Sequence, residues 1–222
     1  MATKQNSINR ATQDLTIDPG VSGDSFVQFN INTTNEFRIG VDDDASDAFK
    51  ISQGGALGAN DTFVMTAAGE RTMPLQPAFL AYLGTSDLNV TGNGTTYTLG
   101  SGNALTEVFD QGGDFVTTGT FTASVSGRYL FTVCIKVSDI TAAMDNGYIR
   151  LLTSDYNYRY YWNPYVVMAV GDGCSYSVNT IADMDAADTV TVTLLIIDGA
   201  GDTADIVGDA NGSTFFSGAL LV

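Results

Sequence analysis

The sequence predicts an all-β protein, and three observations predict it. No stretch of a dozen residues keeps apolar side chains at helical spacing without a Gly or Pro break. Apolar side chains recur at every second position instead. This is clearest across 128–137, where Tyr129, Phe131, Val133, Ile135 and Val137 share one strand face. Gly, Asn and Asp clusters separate the segments, with 24 glycines in 222 residues. That length admits one large or two small domains.

The strands come in two styles. From Asp24 to Leu75 they are short and open on Phe26, Phe37, Phe49 and Phe63, with turns such as Asp42-Asp43-Asp44 and Gln53-Gly54-Gly55 between them. Strands so short, with one apolar face each, cannot bury that face alone. Three copies wound about an axis share it as an interior, which predicts a trimeric β stalk. The alternative is a small meander packed on the following domain. Met73-Pro74-Leu75-Gln76-Pro77 ends the series, because two prolines in four residues cannot continue a ladder.

Beyond it the strands lengthen: 78–83, 119–123, 128–137, 148–152, 156–170, 174–181, 190–197 and 214–222. Gly127 reads as a tight turn between two of them, and Asp145-Asn146-Gly147 as a hairpin turn before Tyr148. Roughly eight to ten strands is the size of a two-sheet sandwich or jelly roll. The expected divisions are therefore 1–23 as an attachment segment, 24–76 as a β-rich stalk and 77–222 as a head.

Charge narrows the function. Nine Lys+Arg stand against 25 Asp+Glu, a net charge of −16, which argues against nucleic acid and against an anionic membrane surface as partners. The absence of histidine removes His-based triads and metal sites. The longest apolar runs, 165–170 and 194–197, are far shorter than a membrane span. Residues 1–13 show no apolar signal core, so synthesis in the cytoplasm is expected. Cys134 and Cys174 read as two buried thiols, with one bridge as the alternative.

Three groups of residues are candidates for chemistry. Asp42, Asp43 and Asp44, and separately Asp198 and Asp202, crowd carboxylates; calcium would neutralise them, and solvated loops are the alternative. Asp183, Asp185 and Asp188 form a third acidic loop. No other cofactor is expected. Paired carboxylates also serve glycoside hydrolysis, but nothing places two across a cleft, and a non-enzymatic protein is expected. Tyr156, Tyr158, Arg159, Tyr160 and Trp162, with Tyr165 and Arg150 nearby, suit a receptor or glycan surface, since Tyr and Trp stack on sugar rings. The same aromatic face would equally fill a trimer interface. The sequons at Asn32, Asn60, Asn89 and Asn93 are read as coincidence.

Phe121, Gly127, Tyr129 and Phe131 form the pattern F-x5-G-x-Y-x-F. Ala187-Asp188-Thr189-Val190 follows, and Ser213-Thr214-Phe215-Phe216-Ser217-Gly218-Ala219-Leu220-Leu221 closes the chain. With Phe109-Asp110 and Thr118-Gly119 upstream, residues 77–222 resemble the C1q-like globular domain, a relative of the tumour-necrosis-factor jelly roll. The resemblance implies a trimeric head. Phe49-Lys50-Ile51 and residues 62–70 resemble the repeats of bacteriophage tail fibres, and no Gly-X-Y run supplies a collagen stalk. Together they imply a homotrimeric virion-surface protein: a fibre or adhesin whose head binds a host receptor, a glycan by its chemistry, and whose residues 1–23 dock on another virion protein. The alternative is a capsid decoration, cement or head-fibre trimer. A secreted C1q-type binding protein would need an export signal.

Overall fold

The computed structural model describes residues 17–18, 20, 22–31, 35–167 and 173–222. The expected attachment segment 1–23 falls almost wholly outside the described residues, as do Asn32, Thr33 and Thr34 and the end of the 165–170 run. The chain divides into two compact units, Met1–Gln76 and Pro77–Val222.

The first unit is a five-stranded antiparallel meander of β1 (Ser25–Ile31), β2 (Asn35–Asp42), β3 (Ala48–Gln53), β4 (Asp61–Met65) and β5 (Arg71–Thr72), with a 3-10 turn at Asp43–Ala45. Its strands pair in sequence order, so the Phe-led segments align. Val27, Ile39, Ile51 and Phe63 form one cross-strand row, and Val41, Phe49 and Met65 the next. Side chains alternate between faces, so both rows lie on one side. None of the seven residues is buried.

The buried residues of β3 are those between them: Ala48, Lys50 and Ser52. The Lys50 ammonium lies 2.8 Å from Asp42 Oδ2 and 3.1 Å from Asp61 Oδ2. The Ser52 hydroxyl donates to Asp61 Oδ1 at 2.6 Å and accepts the Gly58 amide at 3.1 Å, tying down the 54–60 loop. The Asp42 hydrogen bond holds the Lys50 ammonium above its ordinary range of 10.5, against the opposing effect of burial, with Asp61 adding to the rise. A lysine raised in the folded state stabilises fully below its unfolded value and loses that contribution as pH climbs through the folded one. Amide-exchange protection of β3 and β4 should therefore hold at neutral pH and fall above about pH 10.5. Lys50→Met, which leaves the Asp42 and Asp61 carboxylates without their cation, should cost about 3 kcal/mol by urea melting.

The second unit contains β6 (Ala78–Leu83), β7 (Asp87–Thr91), β8 (Thr96–Thr98), β9 (Leu105–Gln111), β10 (Phe115–Val116), β11 (Thr120–Thr122) and β12 (Gly127–Ser138). It continues through β13 (Asn146–Thr153), β14 (Asn157–Trp162), a helical turn α1 (Pro164–Val167), β15 (Cys174–Met184), β16 (Thr189–Ile197), β17 (Ala204–Ile206) and β18 (Phe215–Leu220). The pairs are nested: β13 with β14, β12 with β15, β11 with β16 and β6 with β18, all antiparallel. This is one long hairpin rolled into two facing sheets, which makes the unit a jelly-roll sandwich. One sheet centres on β12, flanked by β15 on one side and by β18 and β17 on the other. The facing sheet centres on β16, between β13 and β11.

Between the sheets lies a ladder of rings. Phe121 stacks on Phe79 at 5.0 Å and meets Tyr129 and Phe131 edge-on at 5.4 and 5.6 Å. Phe79 also stacks on Phe115 at 4.6 Å, and Phe216 stands edge-on to Phe79 at 4.9 Å. The F-x5-G-x-Y-x-F residues thus meet in one core, with Val133, Ile135 and Val137 continuing the buried face of β12. Gly218 completes it, because a Cβ there would come within 2.7 Å of both Phe131 and Phe79 ring carbons. Phe216, not Phe215, is the ring of β18 that enters this core; Phe215 lies on the opposite face.

Three local expectations change. Gly127 begins β12, and its missing side chain makes room for the Val222 carbonyl, which a Cβ would approach to 2.5 Å. It serves close approach of the chain's last residues, not a turn. Asp145-Asn146-Gly147 is no hairpin turn, because β12 and β13 lie in different sheets and the chain crosses between them there. The 156–170 segment is not one strand: β14 ends at Trp162, and Pro164, lacking an amide donor, opens a helical turn.

Candidate functional site

Strand β14 carries most of the aromatic cluster, and strand alternation divides it. Tyr158 and Tyr160 turn toward the core and pack against it. The Tyr160 hydroxyl donates to the Asn179 carbonyl at 2.9 Å and is bonded to the Thr180 hydroxyl. Burial pushes the Tyr158 phenol up, with its neighbours Tyr156 and Tyr160 adding to the rise. Trp162 is 7% exposed and packs on Tyr176 at 5.1 Å, so it lies beneath the surface. Tyr156, before the strand, is exposed and stands 6.0 Å from Tyr158.

The outward positions of β14 are Asn157, Arg159 and Tyr161. The register sets Tyr161 opposite Tyr148 and Arg159 opposite Arg150 on β13. Tyr148 and Tyr161 meet edge-on at 5.6 Å, and the Arg159 guanidinium lies 4.9 Å from the Tyr148 ring centre. Arg159 Nε donates to Asn157 Oδ1 at 3.3 Å, and Arg150 Nε to Thr193 Oγ1 at 2.7 Å. Of the predicted receptor-surface residues, the structure thus leaves Tyr156 and Arg159 outward. It adds Tyr148, Arg150 and Tyr161 to them. The sequence offers only the polar pair Ser154-Asp155 as a signal; the structure makes it the turn, with the Thr153 amide donating to the Tyr156 carbonyl, and counting outward from it sets residue 150 against 159.

The outer face of the β12 sheet is the second notable surface. Phe109, Leu80, Ser217, Thr132 and Asn179 form one row across it; Ala78, Ala219, Leu130 and Ile181 form another; Tyr82, Phe215, Cys134 and Ser177 form a third. Phe109 is 48% exposed and Ile181 57%. A groove of about 610 Å³ lies over Leu80, Tyr82, Phe109 and Phe215. Both cysteines are free thiols: Cys134 lies on this face, and Cys174 is buried, which pushes its thiol up.

The acidic residues are mostly engaged with the protein itself. Asp42 pairs with Lys50. Asp43 accepts the Gly23 amide at 3.3 Å, while Asp44 is exposed. Asp202 accepts the Asn93 amide at 2.8 Å and bonds the Thr95 hydroxyl, and these contacts hold its carboxyl below the ordinary range. Asp198 takes a left-handed backbone at φ 70° in the turn that follows β16. Among the described residues no three carboxylate or cysteine side chains are grouped to hold a metal ion. Calcium at these loops would have to displace the contacts of Asp42 and Asp202. Asp87 is buried and accepts bonds from the Tyr97 hydroxyl and the Asn103 amide, a structural use of a carboxylate.

The nested strand pairing and the ring ladder define residues 77–222 as a jelly-roll head. No protein-family model matches the chain, and no curated protein matches it. Among solved structures it is similar to the globular domain of zebrafish complement 1qA protein, with 17% identity and a TM-score of 0.43; 66% of this chain and 98% of that one are covered. It is similar to murine APRIL at 10% identity and a TM-score of 0.45, covering 66% and 99%. For the Eiger TNF of S. frugiperda the identity is 14% and the TM-score 0.42, covering 66% and 94%.

Proposed function

We propose that this chain assembles as a homotrimer and serves as a non-enzymatic structural protein on the surface of a bacteriophage virion. In this reading residues 24–76 form a β stalk, residues 77–222 a head that binds a host surface glycan, and residues 1–23 the attachment to another virion protein. The observation that carries it is the pair of apolar sheet faces that one chain leaves incompletely buried. These are the Val27–Ile39–Ile51–Phe63 row of the meander and the Leu80–Phe109–Leu130–Ile181 face of the head. Contiguous apolar faces mark interaction surfaces, and closed threefold symmetry covers both with copies of themselves. The net charge of −16 on each chain keeps such an assembly soluble.

Light scattering on the purified protein tests the assembly, with three subunits expected and a stable single subunit overturning it. Antibody labelling of intact particles tests the location. A few copies at a tail or fibre tip would support the adhesin, and hundreds over the shell would support the decoration or cement alternative. Absence from particles would end both.

A further inference from the structure

We infer that the outer face of the β13–β14 hairpin is a binding site for a carboxylated sugar, held between Arg150 and Arg159 and stacked on Tyr161. The inference rests on the receptor-binding reading above and names its ligand class. Residues 77–222 contain only four cations, Arg128, Lys136, Arg150 and Arg159, against fifteen carboxylates. Arg128 lies 3.9 Å from Asp183, and Lys136 helps hold the Asp209 carboxyl low, after the Ser213 bonds that dominate there. The other two are set directly opposite each other on neighbouring strands. Among the described residues neither has a carboxylate within ion-pair distance.

Like charges directly opposed across a strand pair are destabilising. In a chain so rich in carboxylates, pairing either arginine with an acid would be the simple remedy, yet the surroundings supply only neutral partners. Thr193, Asn157 and the Tyr148 ring fix the two guanidiniums without neutralising them. That is a preorganised anion site, since guanidinium forks match the planar geometry of a carboxylate. Tyr161, 65% exposed and braced edge-on by Tyr148, supplies the adjoining ring. Tyrosine rings stack on the apolar faces of pyranoses while their hydroxyls bond the sugar's own. A long polyanion would meet the repulsion of the remaining carboxylates, so a short acidic oligosaccharide fits better than nucleic acid.

The test is calorimetric titration of the full chain with tetragalacturonate, dextran sulfate fragments and maltotetraose, alongside capture of host cells. The wild type should bind tetragalacturonate, more weakly as salt rises, and ignore maltotetraose. Arg150→Gln/Arg159→Gln should lose at least tenfold in affinity, and Tyr161→Ala several-fold, both with assembly unchanged and the double variant melting no lower than the wild type. Three results would overturn the site: no binding of tetragalacturonate by the wild type, equal binding by the double variant, or dextran sulfate binding as tightly. Wild type and double variant capturing cells equally well would reject this site but keep the receptor reading. Failure of both to capture cells would reject the receptor reading, leaving the saccharide titration to judge the patch.

Discussion

A Phe121→Ala protein is expected to lose about 3–5 kcal/mol of head stability, read as a lowered urea midpoint. Phe121 is 1% exposed and, with Phe115, is one of the rings that join the two sheets. It belongs to β11 of one sheet, yet it touches Phe79 of β6 and Tyr129 and Phe131 of β12 in the other. Truncation leaves a ring-sized void among aromatics that are themselves confined, so the walls cannot close on it. Phe121→Leu keeps much of the volume and should cost clearly less. A loss below about 1 kcal/mol for the alanine variant would mean that the sheets are not bridged at this point.

The second large effect concerns assembly. Leu130→Glu with Ile181→Glu is expected to convert the proposed trimer to single subunits in sedimentation, while the far-ultraviolet spectrum stays that of a β protein. The two positions are register partners on β12 and β15, on the outer side of the sheet, so neither change touches the ring ladder. Two carboxylates placed in the proposed interface would be desolvated without partners, a cost that association cannot absorb. An unaltered trimer would show that the β12 sheet does not face the threefold axis.

Much of the head was legible because its longest strand alternates strictly. Tyr129, Phe131, Val133, Ile135 and Val137 needed only period two, and all five are buried. The pattern around Phe121 and Gly127 likewise pointed to one core, though Gly127 turned out to serve the approach of the Val222 carbonyl. Nested pairing was not legible from local signals, since β16 lies between β11 and β13 only by contacts far apart in sequence. Hence Asp145-Asn146-Gly147 resembled a hairpin turn, and short strands such as β8 and β17 passed unnoticed. In the meander Phe37, Phe49 and Phe63 share one face, as the stripe implied, but Phe26 lies on the other, in the row of Gly40, Lys50 and Val64. That Lys50 would occupy the protected side could not be read, because its partners Asp42 and Asp61 come from two other segments. The aromatic cluster misled for a related reason: counting tyrosines ignores which side of β14 each takes, and alternation separates Trp162 from Arg159.

The pairing of β6 with β18 sets Leu80 beside Ser217, 137 residues later in the chain. A ribosome would therefore release the first strand of the head long before one of its two neighbours, β18, exists. The β13–β14 hairpin can form early, and β6 can pair early with β9, but the other edge of β6 must wait for β18. Folding dominated by such distant closures is slow, and it leaves the nascent product vulnerable to clumping. High yields of soluble material should thus depend on low temperature or a chaperone during synthesis more than on the final stability of the sandwich.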